Sequence, residues 1–306
     1  MKRSPIALGC SSSTFSKGGD VTALLDACFA SGVNVFDTAR GYGHSEEVLS
    51  RYLKDKPRDN YYLISKGCLP YPFSRLKPRC LKKDLEKSLL TLGLDYIDCY
   101  LLHRDDKRAD LVTIFSMLNE AKKEGKIRSY GVSNWTAKRV QEANEICKSH
   151  GFAPIEAVSN NFTLLPWARD PWGGGDGCVS LTGSETELAY LKEHHIPLYA
   201  YSPLARGFLT GRVKSKEPET YKNADAASRR AYLSDANLAR LSRIEEIAAS
   251  LSLSVADLTL AYLCHLDVDV VPVIGTLSPK RIVSNMEAAQ KELPAAVMDE
   301  LRKLSL

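Results

Sequence analysis

The sequence predicts a single (β/α)8 barrel, an α/β fold that occupies the whole of residues 1–306. Short apolar runs rich in β-branched and aromatic residues alternate with longer amphipathic segments, and no change of composition divides the chain. Strands that are apolar on both faces are typical of a parallel sheet covered by helices. A doubly wound fold in two domains is the alternative, but no linker-like stretch supports it.

Each predicted strand is a short run with turn residues nearby. In chain order the runs are IALG (6–9), VNVFD (33–37), YYLISK (61–66), YIDCYLLH (96–103), IRSYGVS (127–133), IEAVSN (155–160), IPLYAYS (196–202) and VVPVIG (270–275). The amphipathic segments between them have helix signals: Asp20 precedes the first and Gly32 closes it, and Ser45 begins another with acids in its first turn. The segments 166–183 and 212–235 are expected to form long loops on the functional face, with GGGDG (173–177) as a flexible part.

Composition argues against several classes of function. The chain has 41 basic and 37 acidic residues, and the net charge of +4 is spread along it, so neither nucleic acid nor a membrane surface is an expected partner. The eight cysteines form no CxxC pair and have no zinc-ligand spacing, which favours a reducing compartment without a metal site. No apolar run approaches the ~18 residues of a membrane span. The apolar stretch near the start of the sequence is too short to be the core of a signal peptide. We therefore expect a soluble cytoplasmic protein.

Polar side chains stand at the carboxyl ends of most predicted strands, which is where barrel enzymes hold their reactive groups. These residues are Asp37, Lys66, His103, Ser133 with Asn134, Ser159 and Tyr201. One polar residue behind an apolar run is common, whereas repetition around the barrel indicates a functional rim.

Five segments combine these strand ends with further polar residues: VNVFDTARGYGHSE (33–46), LISK (63–66), DCYLLH (98–103), GVSN (131–134) and VPVIGTLSPKRIVSN (271–285). They resemble motifs of the aldo-keto reductases and follow that family's order along essentially the whole chain. The resemblance implies an NADPH-dependent reductase of aldehydes or ketones. It implies Asp37, Tyr42, Lys66 and His103 as the catalytic residues, with Tyr42 as general acid.

The chemistry of the reaction agrees with these roles. Carbonyl reduction needs a hydride donor, a proton donor and a group that holds the developing oxyanion. A free phenol has a pKa of about 10. A lysine ammonium about 4 Å away, at an effective dielectric of ~20, would favour the phenolate by roughly 4 kcal/mol, or about three pKa units. Lys66 is expected to act in this way on Tyr42, with Asp37 holding Lys66 and His103 donating to the carbonyl.

The cofactor is expected to lie extended across the barrel top, because neither GxGxxG after a strand nor GxxxxGK[ST] occurs. The resemblance implies that Ser133, Asn134 and Ser159 lie at the carboxamide and that Tyr201 stacks on the nicotinamide. It assigns SPLARGFLTGR (202–212) to the pyrophosphate, GTLSPKRIVSN (275–285) to the adenosine 2′-phosphate and adenine, and an arginine there favours NADPH. The residues implied in these two segments are Ser202, Leu204, Gly207, Arg212, Gly275, Thr276, Arg281 and Asn285.

The sequence departs from the family pattern in three places. Ser159 replaces a common glutamine, and Asn160 or a water is expected to take over its contact. Gly275 replaces a lysine that some members use beside the 2′-phosphate, so the NADPH preference rests on Arg281. The first predicted strand follows the amino terminus almost directly, so the usual floor hairpin is expected to be absent or reduced; exposed apolar surface there would favour a homo-oligomer.

Substrate contacts and the biological role stay open at this level. Trp135 could form an aromatic wall for a small carbonyl substrate or pack under the rim, and the same two interpretations apply to Trp167 and Trp172. Two other functions are compatible with the sequence: a cofactor-sensing accessory subunit with little turnover, and a lyase or isomerase that forms a Schiff base at Lys66.

Overall fold

The computed structural model describes residues 2–70, 73, 75–172 and 177–305, and these residues form the predicted (β/α)8 barrel. Neighbouring strands pair in parallel in chain order, and the last strand pairs with the first to close the ring. The strands are β1 (Ala7–Gly9), β2 (Val35–Asp37), β3 (Tyr62–Gly67), β4 (Ile97–Leu102), β5 (Ile127–Ser133), β6 (Val158–Ser159), β7 (Leu198–Tyr201) and β8 (Val270–Ile274). The predicted fold class is confirmed.

Helices surround this ring. They are α1 (Ser13–Ser16), α2 (Thr22–Ala30), α3 (Ser45–Leu53), α4 (Pro78–Leu92), α5 (Leu111–Lys123), α6 (Ala137–Ser149), α7 (Glu185–Glu193), α8 (Ala226–Tyr232), α9 (Asp235–Ser250), α10 (Val255–Cys264), α11 (Pro279–Ala289) and α12 (Ala295–Ser305). No single helix in the described part of the chain is long and apolar enough to cross a membrane; α9 and α10 pass such a test only together, as a pair bent by 91°.

The protein has two apolar cores, one inside the barrel and one between the barrel and the surrounding helices. Small and branched side chains from the strands fill the interior, among them Ala7, Val35, Ile64 and Val271. The outward-facing strand residues form the larger core with the apolar faces of the helices. Both faces of the sheet are therefore buried, which explains why the strands read as continuous apolar runs.

The sixth strand is shorter than predicted because proline interrupts its pairing. The prediction covered 155–160, but only Val158–Ser159 is strand, and Val158 donates to the carbonyl of Pro197 (3.0 Å). Proline has no N–H for the ladder, so β7 begins at Leu198 and the two strands pair only at Val158 and Leu198. The rim residue Ser159 nevertheless keeps its predicted position.

The long polar segments differ in structure. The prediction of a loop over 212–235 is wrong in its second half, where residues 218–223 form a 3₁₀ helix and α8 follows. The Asp225 side chain accepts from the Ser228 N–H (2.6 Å) and so caps α8 at its start. In the other segment, residues 173–176 of the predicted flexible GGGDG lie outside the described residues.

An arginine near the amino terminus covers the barrel floor. Arg3 donates to the Tyr199 hydroxyl (2.5 Å) and to Asp269 (2.9 Å), and its guanidinium lies 5.8 Å from the ring centres of both Tyr62 and Tyr199. Among the described residues the large exposed apolar side chains lie elsewhere in the chain, at positions such as Leu90 and Val283. The expected apolar patch at the floor is therefore not seen, and the sequence argument for self-association loses its basis at this surface.

Candidate active site

A cavity of about 800 Å³ opens at the carboxyl ends of the strands and brings the predicted site residues together. Its volume lies within the ~300–1,000 Å³ of small-molecule sites. It is lined by Asp37, Tyr42, Lys66, His103, Ser133, Asn134, Ser159, Tyr201, Ser202, Leu204, Gly207, Arg212, Gly275, Thr276, Arg281 and Asn285, among others. Every residue proposed for catalysis or cofactor binding thus lines one cavity.

A buried ion pair forms the base of the cavity. The Lys66 ammonium donates to Asp37 Oδ1 (2.7 Å) and to the Thr38 carbonyl (3.0 Å). Asp37 ends β2 and Lys66 lies near the end of β3, and parallel pairing of these strands brings the two side chains together. Both side chains are almost fully buried, and a buried charge without a partner would be strongly destabilising. The ion pair is therefore held in one geometry.

A tight turn after β2 places Tyr42 beside the Lys66–Asp37 ion pair. Gly43 has φ +59°, and a Cβ there would lie 2.5 Å from the Ser16 carbonyl, so glycine is required where the turn passes this backbone. The ring of Tyr42 lies with its centre 5.1 Å from the Lys66 Nζ. The acid and the cation predicted to assist it are therefore adjacent.

The pKa of Tyr42 differs in direction from the sequence-based expectation. Burial raises the pKa of the phenol and outweighs the opposing effect of Lys66, whose charge lowers it, so the net pKa is above the usual value. The expected lowering is thus wrong for the protein alone. Burial by itself would lower the pKa of Lys66, but Asp37 and Tyr42 raise it above its ordinary value, so Lys66 is charged.

His103 is a neutral imidazole in this site. It follows β4, its ring centre lies 5.4 Å from that of Tyr42, and burial together with the charges of Lys66 and Arg104 holds its pKa well below the usual value. Its Nδ1 and the Oδ2 of Asp37 are buried without a hydrogen-bond partner among the described residues. Such atoms on a cavity wall fit a site that a polar ligand completes.

Asn134 organises the predicted carboxamide site. It has φ +64°, and its Nδ2 donates to Ser133 Oγ (2.8 Å) while its Oδ1 accepts from the Tyr201 hydroxyl (2.8 Å). Burial raises the pKa of Tyr201 well above its ordinary value, so this hydroxyl is a donor. The three residues form one fixed polar group beside an aromatic ring, an arrangement that suits an amide-bearing ring.

Asn160, one of the two substitutes predicted for the missing glutamine, is not available. Its Oδ1 accepts from the Asn134 N–H (2.6 Å) and its Nδ2 donates to the Trp135 carbonyl (2.7 Å). Asn160 is fully buried and is absent from the described cavity lining. It braces the backbone under Asn134, and Ser159 itself lines the cavity.

The segment after β7 has a conformation suited to phosphate binding. Ser202, Ala205, Arg206, Gly207 and Gly211 all have positive φ. At Gly207 (φ +92°) a Cβ would lie 3.4 Å from the guanidinium carbon of Arg212, so the glycine lets this cation lie against the backbone. Strained backbone beside a charged side chain at a cavity wall is typical of an anion site.

A helix start forms the far end of the cavity. Ser278 caps α11 by accepting from the Arg281 N–H (3.4 Å), and Pro279 is the first helical residue, as the sequence predicted. Thr276, Arg281 and Asn285 line the cavity around this start. A helix start with an arginine offers both N–H groups and a charge to a phosphate.

Trp135 lies outside the site. Its side chain is 1 % exposed, its ring lies edge-on to Phe115 (6.3 Å), and Arg139 lies over it at 5.2 Å. The prediction of Trp135 as a substrate contact is therefore wrong: its side chain packs under the rim. Trp172 lines the cavity instead, with its ring 6.4 Å from that of Tyr201, whereas Trp167 donates to the Tyr232 hydroxyl (2.9 Å).

Several lining residues were not singled out from the sequence. They are Gly9, Ser11, Leu69, Arg104, Pro203, Arg206, Thr210, Asp225, Ser254, Ala256, Asp257, Val273, Ile274 and Ser284. Arg104 had a visible signal, since it directly follows His103 at a strand end. Ser254 and Asp257 form a cap at the start of α10, which reads in sequence as an ordinary helix start.

Comparison with known proteins agrees with this geometry. The sequence model of the aldo/keto reductase family matches residues 5–306. Similar proteins include aldo-keto reductase str7 of Strobilurus tenacellus (28 % identity over 287 residues, covering 92 % of this chain and 80 % of the relative). They also include the aldo-keto reductase yakc [NADP(+)] of Schizosaccharomyces pombe (28 % over 277 residues; 86 % and 75 %) and the probable aldo-keto reductase 1 of Glycine max (28 % over 291 residues; 92 % and 78 %). The chain belongs to the aldo/keto reductase family and is an NAD(P)H-dependent oxidoreductase with small carbonyl compounds as its substrate class.

Proposed function

We propose that this protein reduces aldehydes or ketones to alcohols with NADPH, using Tyr42 as general acid. The observation that supports this proposal most directly is the adjacency of the buried Lys66–Asp37 pair, the Tyr42 ring and His103 on one cavity wall. An accessory sensing role would not require an acid beside a paired cation. A Schiff-base lyase would need an uncharged lysine amine, whereas Asp37 keeps Lys66 charged.

Each residue has a distinct task in this reaction. The bound nicotinamide supplies the hydride. Tyr42 holds the proton that the carbonyl oxygen receives, and Lys66 stabilises the phenolate that remains. Asp37 keeps Lys66 charged and in place through the 2.7 Å contact. His103, being neutral, donates a hydrogen bond to the carbonyl oxygen and orients it without adding a second positive charge.

The cofactor would be held from end to end of the cavity. Ser133, Asn134 and Ser159 would contact the carboxamide, and Tyr201 would stack on the ring. The segment 202–212, with Ser202, Leu204, Gly207 and Arg212, would hold the pyrophosphate. Before α11, Gly275 would let the backbone come close to the cofactor. Thr276 and Arg281 would bind the 2′-phosphate, and Asn285 would contact the adenine. The NADP(+) in the name of the Schizosaccharomyces pombe relative supports the preference for NADPH.

The Tyr42→Phe variant tests the acid role. We expect kcat with an aromatic aldehyde to fall by roughly 10²–10⁴-fold, because the ring stays while the transferable proton is lost. NADPH binding, measured by quenching of tryptophan fluorescence, should be retained.

Tyr262→Phe provides a matched control, since it removes the hydroxyl of another buried tyrosine that is not among the lining residues of the cavity. Turnover of Tyr42→Phe close to wild type would contradict the acid assignment, and a wild type that binds NADPH without reducing any aldehyde would favour the sensing role.

The Arg281→Ala variant tests cofactor choice. We expect the Kd for NADPH to rise by roughly 10- to 100-fold, since a charge-assisted contact to the 2′-phosphate is lost, while the Kd for NADH changes little. Lys280→Ala on the same helix serves as control. Equal losses for both cofactors would remove Arg281 from the phosphate site.

A further inference from the structure

A buried aspartate behind the cavity wall holds the segment that joins β3 to α4. Asp84 lies early in α4, is 7 % exposed, and is not among the described lining residues of the cavity. Its Oδ2 accepts from the Cys68 N–H (2.9 Å), and its Oδ1 accepts from Arg75 Nη2 (2.6 Å). One carboxylate therefore fixes the segment near both of its ends.

A glycine at the end of β3 lets α4 come close enough for these contacts. A Cβ at Gly67 would lie 3.1 Å from the Cβ of Asp84 and would overlap the Tyr100 hydroxyl. The next residue, Cys68, has φ +62°, a conformation that residues other than glycine rarely adopt. Such a conformation persists only where its surroundings hold it, and here the hydrogen bond to Asp84 does so. The direction in which the chain leaves β3 thus depends on Asp84.

This direction places Leu69 on the cavity wall next to the turn that carries Tyr42. Leu69 lines the cavity, and a Cβ at Gly41, the residue before Tyr42, would lie 2.6 Å from the Leu69 Cδ2. Leu69 is partly exposed, and it belongs to neither of the two apolar cores found in the described residues. Its backbone is held on one side and its side chain packs on the turn, so it forms a fixed apolar wall near the proposed acid.

We propose that Leu69, held in place by Asp84, determines specificity by admitting only a small group on one side of the substrate carbonyl. The inference rests on the proposed function, in which the carbonyl oxygen lies at Tyr42. The preferred substrates are then aldehydes and methyl ketones, because a branched group on that side collides with Leu69. An apolar wall selects by shape, and one methylene in a close-fitting pocket changes kcat/KM by roughly 10- to 200-fold. Asp84 acts through Leu69 and is a positioning residue.

The test compares acetophenone with isobutyrophenone, which differ only in the bulk of the alkyl group on the carbonyl. We expect the wild type to have the higher kcat/KM with acetophenone. Leu69→Ala should lower the ratio of the two values by roughly 10- to 100-fold through a gain with isobutyrophenone, while kcat with benzaldehyde changes little. The intrinsic reactivity of each ketone is the same for every variant, so a change in the ratio reports the wall.

Asp84→Ala tests the positioning role. It should lower the ratio as Leu69→Ala does and retain kcat with benzaldehyde, and the double variant should go no lower than Leu69→Ala, because the two residues act as one unit. Arg75→Gln removes the more exposed of the two contacts and replaces Asp84→Ala if that variant does not fold. Glu86→Gln is the matched control, since Glu86 is an exposed acid on the same helix and is paired with Lys82.

A wild-type ratio near one, or an unchanged ratio in Leu69→Ala, would overturn the inference. So would equal losses of kcat with benzaldehyde and both ketones in Asp84→Ala, because they would show a general effect on the fold. If no carbonyl compound is reduced, the proposed function fails, and calorimetry of the two ketones on the NADPH-loaded protein still decides. Tighter binding of acetophenone that Leu69→Ala equalises supports the wall, and equal or absent binding refutes it.

Discussion

The neutral state of His103 decides how the site responds to acid. An ordinary histidine has a pKa of about 6.5 and would gain charge in mildly acidic solution. Burial, Lys66 and Arg104 all disfavour that charge, so the pKa of His103 lies well below this value. The imidazole therefore stays a neutral hydrogen-bond donor across the neutral range, and protonation comes only in more acidic solution.

From this we expect no inflection near pH 6.5 in the kcat of aldehyde reduction. The measurement is a pH–rate profile from pH 5.5 to 8.5 for the wild type and for His103→Gln, which keeps a donor without titrating. The variant should be slower with the same flat shape. A sigmoidal step near pH 6.5 in the wild type that disappears in His103→Gln would contradict the neutral assignment.

At the scale of elements, the turn between β2 and α3 is fixed to β3 by a buried carboxylate. Glu46, in the first turn of α3, is 1 % exposed; it accepts from Ser65 Oγ (2.7 Å) and from Arg40 Nη1 (2.6 Å). Ser65 directly precedes Lys66, and Tyr42 lies between Arg40 and Glu46. The same carboxylate thus sets the position of the acid relative to its cation.

Glu46→Gln should therefore lower kcat by about tenfold with little change in the Kd for NADPH, since a small displacement of a catalytic group is costly. Glu47→Gln is the matched control, because Glu47 is an exposed neighbour that contacts His44. The Tm of each variant is first measured by thermal denaturation, and kcat is then measured well below that temperature. If kcat of Glu46→Gln stays at the wild-type value, Glu46 supports the fold without positioning Tyr42.

For the whole molecule, the floor contacts of Arg3 connect the amino terminus to β3 and β7. A cation over an aromatic ring contributes about 0.5–2 kcal/mol. We expect Arg3→Ala to lower the free energy of unfolding by about 1–2 kcal/mol and to reduce Tm, with unchanged kcat because the cavity lies at the other end of the barrel. Lys2→Ala is the control in the same denaturation series. A variant with wild-type Tm would show that these contacts are dispensable.

The sequence predicted the barrel and the cavity lining well because both follow from patterns along the chain. Strand ends place Asp37, Lys66 and His103 on one rim whatever the details of packing. The direction of a single side chain beyond the rim has no such pattern. Trp135 follows Asn134, whose positive φ turns the chain, and its ring enters the core. The net pKa of Tyr42 depends on the depth of its burial, which no sequence motif records.

The covered floor has a practical consequence for handling the enzyme. Arg3 lies at the end of the barrel opposite the cavity mouth, with its guanidinium fixed by Tyr199 and Asp269. A linker attached ahead of this point leaves the molecule on the side away from the substrate entrance. Protein tethered to a solid support through that end would present its open face to the surrounding liquid, so immobilised preparations should be able to exchange cofactor and product.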